Sequence, residues 1–301
     1  MKQTIITVFS LCYFYCSLNG QVNLAPNPSF ENYSDCPFTT GDFEATSWYN
    51  PSWTTPDHFD TCNNSINGYV GVPNNDGGFQ YPKTGHGYVG VGCYVGPTAN
   101  FRDYIQAQLL SPLSAGTTYC VSFWLNLADS SRVGIDHVGA YLSPQPINCS
   151  TIGCYLQYNS STTNLTPMPV IDTANWVFIS GTYTATGGEQ YITIGNFTAD
   201  TNCSIQVANS SATYNSAYYF VDDVSIVALH NIVAGMNDSI CIQDSLILGT
   251  TAWPGVSYSW SPVSGLSNSL ISNPTAAPTV TTTYTLTQTE CTVTQTAVVT
   301  V

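Results

Sequence analysis

The sequence predicts an all-β protein, a sandwich or jelly roll followed by a small immunoglobulin-like β-sandwich, on three observations. Apolar residues recur at every second position, and no stretch keeps a helical period. Charged residues, the usual surface of helices, make up only 7% of the 301 residues, against about 25% in an ordinary globular chain. Tyr119-Cys-Val-Ser-Phe-Trp-Leu-Asn-Leu127 places Tyr119, Val121, Phe123, Leu125 and Leu127 on one face, the pattern of a strand buried on one side. Val177 to Tyr183, Tyr191 to Phe197 and Tyr218 to Val227 repeat it between Gly, Pro, Asn and Ser punctuation. Many short strands with polar connections fit a sandwich or jelly roll better than a barrel of βα units.

Length and composition, with 43% apolar and 13% aromatic residues, allow two packed domains. Residues 1–20 read as a signal peptide: Lys2, an apolar run from Ile5 to Leu18, then Asn19-Gly20-Gln21 as a small-residue cleavage site. The run is too short to span a bilayer, and Cys12 and Cys16 lack the small residues that a lipoprotein signal places before its cysteine. The expectation is a secreted protein, extracellular or held at the cell surface, without membrane insertion. The whole chain has a net charge of −14, and beyond the leader only Lys83, Arg102 and Arg132 face eighteen acids. Such a surface repels phosphate backbones and anionic lipid, which excludes nucleic-acid and membrane-surface roles.

Nine cysteines remain after cleavage: Cys36, Cys62, Cys93, Cys120, Cys149, Cys154, Cys203, Cys241 and Cys291. In an exported chain they read as disulfides with at least one thiol left over. Cys36 with Cys62 and Cys241 with Cys291 are the expected bridges. Cys149-Ser-Thr-Ile-Gly-Cys154 reads as a small closed loop rather than a zinc knuckle, because no second pair stands at a matching distance.

A boundary falls near Ala228 to Gly235, giving a first domain over 21–229 and a second over 236–301. In the second, aromatic residues thin out and threonine dominates. Ser239-Ile-Cys-Ile242, Ser245-Leu-Ile-Leu248, Val256 to Trp260, Thr283 to Thr287 and Thr296 to Val301 are strands at immunoglobulin-like spacing.

The most informative segments are Asn27-Pro28-Ser29-Phe30-Glu31 and Tyr218 to Ile226. By the two-residue period Phe220, Asp222, Val224 and Ile226 share a face, so an acid points where apolar residues point. A buried unpaired charge is costly. With so few bases available, Ca²⁺ is the natural neutraliser and Glu31 the obvious second ligand.

These two segments, with Gly85-His-Gly-Tyr-Val-Gly90 between them, resemble the galactose-binding-like and carbohydrate-binding jelly-roll modules. Adding Cys36-Pro37, Trp48, Thr55-Pro56-Asp57, Val72-Pro73-Asn74-Asn75, Gly187-Gly188-Glu189 and Tyr218-Tyr219, residues 22–228 resemble the amino-terminal module of gliding-motility-associated, type IX-secreted surface proteins. Trp260-Ser-Pro262, Gly265-Leu-Ser267, Asn273-Pro274 and Thr281-Thr-Thr-Tyr284 resemble the polycystic-kidney-disease-like immunoglobulin modules of the same proteins. Such proteins commonly continue into a carboxy-terminal sorting domain, whereas this sequence stops on its last strand and reads as a fragment. The resemblance implies a structural calcium joining first strand to last, with Glu31 and Asp222 or Asp223 as ligands.

Sugar recognition on such a fold needs flat rings beside amides. Trp124, opposite Phe123 and Leu125, is the leading candidate, with Trp53, Tyr81 and Tyr141 behind it. Gly85 to Gly90 has the spacing of a dinucleotide fingerprint but continues as strand, which removes that reading. His58, His86, His137 and His230 are scattered and no nucleophile motif is present, so no catalytic residue is assigned. Asp172-Thr-Ala, Asp238-Ser-Ile and Asp244-Ser-Leu resemble O-glycan acceptor motifs. The expected function is a non-catalytic surface binding or adhesion protein that recognises glycans or extracellular components. The alternatives are a purely structural stalk and an accessory fragment of a larger hydrolase.

Overall fold

The computed structural model describes residues 22–63, 68–97, 99–149, 151, 155–212, 214–253, 255–291 and 293–301; the expected signal peptide lies outside them. Its strands in chain order are β1 (Trp48–Tyr49), β2 (Asp57–Asp60), β3 (Asn74–Asn75), β4 (Gly78–Phe79), β5 (Gly87–Tyr94), β6 (Ile105–Gln108), β7 (Thr118–Leu127), β8 (Val133–Ile135) and β9 (Val138–Ser143). There follow β10 (Val177–Thr184), β11 (Tyr191–Asn196), β12 (Ile205–Val207), β13 (Ala217–Ala228), β14 (Leu246–Ile247), β15 (Ser257–Ser261), β16 (Thr275–Ala276), β17 (Thr283–Glu290) and β18 (Val293–Thr300). The protein is all-β, a jelly-roll sandwich followed by a small immunoglobulin-like one.

The first sandwich stacks a five-stranded sheet, β10-β7-β13-β5-β2, on a four-stranded sheet, β1-β6-β11-β9. Every strand pairing in both is antiparallel. Tyr119, Val121, Phe123, Leu125 and Leu127 of β7 enter the core between the sheets together with Ile105, Ala107, Ile192 and Ile194. The alternation read from the sequence is therefore the alternation that packs.

The closing strand departs from that simple period. Tyr219 and Val221 point into the main core, and so do Val224 and Ile226, whereas Phe220 points outward into a separate cluster. A β-bulge between Asp222 and Ser225, with Asp223 at φ +50°, inserts one residue and reverses the facing. The expectation that Phe220, Asp222, Val224 and Ile226 share a face is thus corrected: Asp222 points with Phe220, away from Val224 and Ile226.

The two ends of this sandwich meet directly. Leu24 N–H donates to the Ile226 carbonyl at 2.9 Å and Val224 N–H to Pro28 O at 2.8 Å. The Asn23 side chain bridges the bulged strand, donating to Val224 O and accepting from Ile226 N–H, each at 2.9 Å.

Both outer faces are partly covered. The chain before β5 lies over the five-stranded sheet, where Val70 packs with Phe59, Tyr88, Ala128 and Phe220. Over the four-stranded sheet, the Gln106 side-chain amide exchanges two hydrogen bonds with the Ile147 backbone, at 2.7 and 2.8 Å. Nearby, Ile147, Leu156 and Phe197 pack on Tyr104.

The second sandwich pairs β15-β17-β18 with β14-β16 around Leu248, Trp260, Tyr284, Leu286 and Val299. Ser239 to Ile242 forms no strand, and β16 was not foreseen. The Cys36–Cys62 disulfide is present. The expected Cys241–Cys291 bridge is corrected: Cys291 bonds to Cys120, 171 positions away, and Cys241 is an exposed free thiol. The reason lies in the alternation of β7. Cys120 points away from the core that takes Tyr119 and Val121, and the turn between β17 and β18 carries Cys291 to that outward face. Cys149 is also disulfide-bonded, while Cys154 lies outside the described residues.

Candidate functional site

Glu31, Asp222 and Asp223 converge on one loop, residues 83–87. Asp222 is fully buried. Its Oδ2 accepts the N–H groups of Lys83 at 2.8 Å and Thr84 at 3.2 Å, and its Oδ1 accepts that of Asp223 at 2.7 Å. Burial, and then the neighbouring Asp223 charge, push the Asp222 carboxyl up to about 8 against the pull of those donors. Asp223 accepts the Thr84 hydroxyl at 2.6 Å.

Glu31 accepts the N–H groups of His86 and Gly87 at 2.9 and 3.1 Å through Oε1. The His86 ring stands between two acids, its Nε2 2.8 Å from Glu31 Oε2 and its Nδ1 2.8 Å from Asp60 Oδ2. The hydrogen bond to Asp60 raises the His86 pKa above the ordinary histidine value. Gly85, at φ +63°, turns its bare α-carbon toward the Glu31 carboxyl, where a β-carbon would collide.

A calcium ion takes six to eight oxygens. Here Glu31 and Asp222 are engaged by backbone N–H donors, and among the described residues no group of three or more His, Cys, Asp or Glu is placed to hold a metal. The loop supplies donors to both carboxylates.

The four candidate rings do not converge. Trp124 is half-buried with the Lys83 ammonium 3.6 Å from its ring centroid and Phe178 at 5.0 Å. Its free face is thus taken by a cation–π contact. Tyr81 is exposed beside Phe79 at 5.4 Å. Tyr141 is stacked on Tyr158 at 4.4 Å, and Trp53 stands exposed on its own loop.

An open concavity of about 420 Å³ lies beside Tyr158, lined also by Tyr155, Gln157 and Asn159, and a larger one lies elsewhere. A groove of about 610 Å³ crosses the uncovered half of the four-stranded sheet, lined by Trp48, Tyr49, Gln108, Leu110, Pro146 and Tyr191 among others. Cross-strand pairing builds it: Tyr191 stands opposite Gln108, and Tyr49 opposite Gln106. Trp48 forms the buried wall, its indole N–H donating to Pro26 O at 2.9 Å. Burial and then the nearby Tyr191 phenol raise the Tyr49 phenol above its usual pKa. The exposed Gln108 amide makes no side-chain hydrogen bond among the described residues, and no carboxylate or basic group lines the groove. Rings beside an uncommitted amide can stack on a sugar and take its hydroxyls.

Sequence reasoning missed this groove because its residues come from strands far apart in the chain. A signal existed: in Ile105-Gln-Ala-Gln108 and Tyr191-Ile-Thr-Ile194, the positions that alternate with core residues carry amides, a phenol and a hydroxyl.

No protein-family model and no curated protein matches the chain. In three dimensions it is similar to the CBM22-1 xylan-binding domain of Paenibacillus barcinonensis Xyn10C, at 10% identity and TM-score 0.35, covering 66% of this chain and 90% of that one. It is also similar to a cleaved adhesin domain of Lys-gingipain from Porphyromonas gingivalis, at 15% identity and TM-score 0.32, covering 67% and 96%. The tandem CBM22-1–CBM22-2 domain of the same Paenibacillus protein reaches 10% identity and TM-score 0.37 over 93% of this chain and 85% of that one. Likenesses this distant carry no argument about a ligand, and the assignment of the fold rests on the strand order described above.

Proposed function

We propose that the first sandwich is a non-catalytic module of an exported surface protein that binds a neutral glycan, with the second sandwich as its spacer. The observation that carries this reading is the groove of Tyr49, Gln108 and Tyr191: aromatic, amide-bearing, uncharged and of ligand size. Its lack of charge matters in a chain of net charge −14, because a neutral chain escapes the repulsion that an acidic one would meet. The disulfides fit an oxidising compartment outside the cell.

The test is affinity electrophoresis or calorimetry of the full chain against xylan, mannan, galactan and β-glucan, with Tyr191→Ala and Gln108→Ala as controls. Binding to at least one polymer, weakened about tenfold or more by Tyr191→Ala, is the expected outcome. Absence of binding to every polymer, or binding indifferent to both substitutions, sinks the reading. In that case the structural stalk becomes the better account, and the Cys120–Cys291 crosslink between the sandwiches already favours a stiff one.

A further inference from the structure

A second cleft, of about 320 Å³, opens between β2, the β3–β4 hairpin and the approach to β13. Its chemistry is the opposite of the groove's. Asp57 and Asp76 stand in it with the rings of Phe59, Tyr214 and Tyr218 and the Ser216 hydroxyl, and no basic side chain lines it.

Asp57 is 6% exposed. Its Oδ1 accepts Gly41 N–H and its Oδ2 accepts the Tyr218 hydroxyl. No ion pair among the described residues includes Asp57 or Asp76. Asp76, exposed at the mouth, accepts no side-chain hydrogen bond among the described residues. Burial pushes the Asp57 carboxyl up to about 6, and the Asp103 and Asp76 charges push the same way. A bound cation would relieve that uncompensated charge.

Carboxylates walled by aromatic faces attract a cation that also has an apolar body. The volume suits a small organic group better than a bare metal ion. We propose that this cleft binds an organic ammonium group, with Asp57 and Asp76 supplying the charge and Tyr214 and Tyr218 the ring contacts. It is a site distinct from the Tyr49–Tyr191 groove and does not depend on the reading of that groove.

The test is calorimetric titration of the full chain at neutral pH with a fully deacetylated glucosamine tetramer, its N-acetylated counterpart and the simple diamine cadaverine. The deacetylated tetramer should bind about tenfold or more tighter than the acetylated one, and more weakly as salt is added. Asp76→Asn, at an exposed position without side-chain hydrogen bonds to lose among the described residues, should cost about tenfold. Asp57→Asn should cost more, and cadaverine, which has no sugar ring to stack in the Tyr49–Tyr191 groove, reads the cleft alone. Binding of cadaverine as well means that the ammonium alone suffices; binding of the tetramer alone means that the cleft reads the sugar ring too. Equal affinity for the two tetramers, binding unchanged in Asp76→Asn, or no binding of either ammonium probe overturns the proposal.

Discussion

Replacing Asp222 by asparagine separates two ways of holding the loop at 83–87, by a proton or by a metal. The Asp222 pKa rises from 3.8 to about 8 in the folded chain. That difference of about 4 pH units, at about 1.4 kcal/mol each, corresponds to at most about 6 kcal/mol. A raised pKa gives stability that is complete below the unfolded value and is lost as pH rises toward the folded one. Wild-type stability should therefore fall between about pH 4 and pH 8. Asparagine cannot titrate, so Asp222→Asn should lack this slope. At acid pH the variant should be weaker by about 1–3 kcal/mol, because its amide meets the Asp223 N–H donor. For a domain of this size that is a fall of about 3 °C per kcal/mol in Tm. The two pH profiles, measured by calorimetry with chelator and again with added calcium, should converge or cross near the top of the range. Parallel profiles would refute the argument from burial. A wild-type Tm that falls on chelation at neutral pH, with Asp222→Asn unmoved, would show that calcium rather than a proton neutralises Asp222.

Gly85→Ala should cost more than about 1 kcal/mol, since alanine meets both a positive φ and the Glu31 carboxyl; Glu31→Ala in the same chain should recover part of the lost Tm. Cys291→Ser should remove the peptide that joins Cys120 to Cys291 in a non-reducing digest. Releasing a constraint over 171 residues should lower stability by at most about 5 kcal/mol, and calorimetry should then resolve separate melting of the two sandwiches. Trp124→Ala and Lys83→Ala should leave polysaccharide binding within about twofold, whereas Tyr191→Ala should reduce it about tenfold or more; a large loss with Trp124→Ala would move the site to the five-stranded sheet.

The all-β architecture was legible because alternation is local. The residues of β7 that alternate in the sequence are those that enter the core, and the polar turns fall where the strands end. The convergence of Glu31 and Asp222 was legible in part, as two acids needing a partner in a chain poor in bases. What supplies that partner was not. The N–H groups of residues 83–87 are backbone donors, present in any sequence, and only the folded path of that loop aims them at both carboxylates. The facing of Asp222 was misread for a related reason. A single bulged residue reverses every side chain beyond it, and nothing in Asp222-Asp223-Val224 announces the bulge.

By itself the sequence determined the fold class and the strands β7, β10, β11 and β13 of the large sandwich, because period and composition are properties of the chain alone. Tertiary structure decided the rest. Cys291 finds Cys120 rather than Cys241 because a hairpin tip reaches the outward face of another sandwich. Trp124 loses its free face to a lysine 41 positions earlier in the chain. Tyr49, Gln108 and Tyr191 make a groove because pairing in one sheet brings together residues that the chain holds far apart.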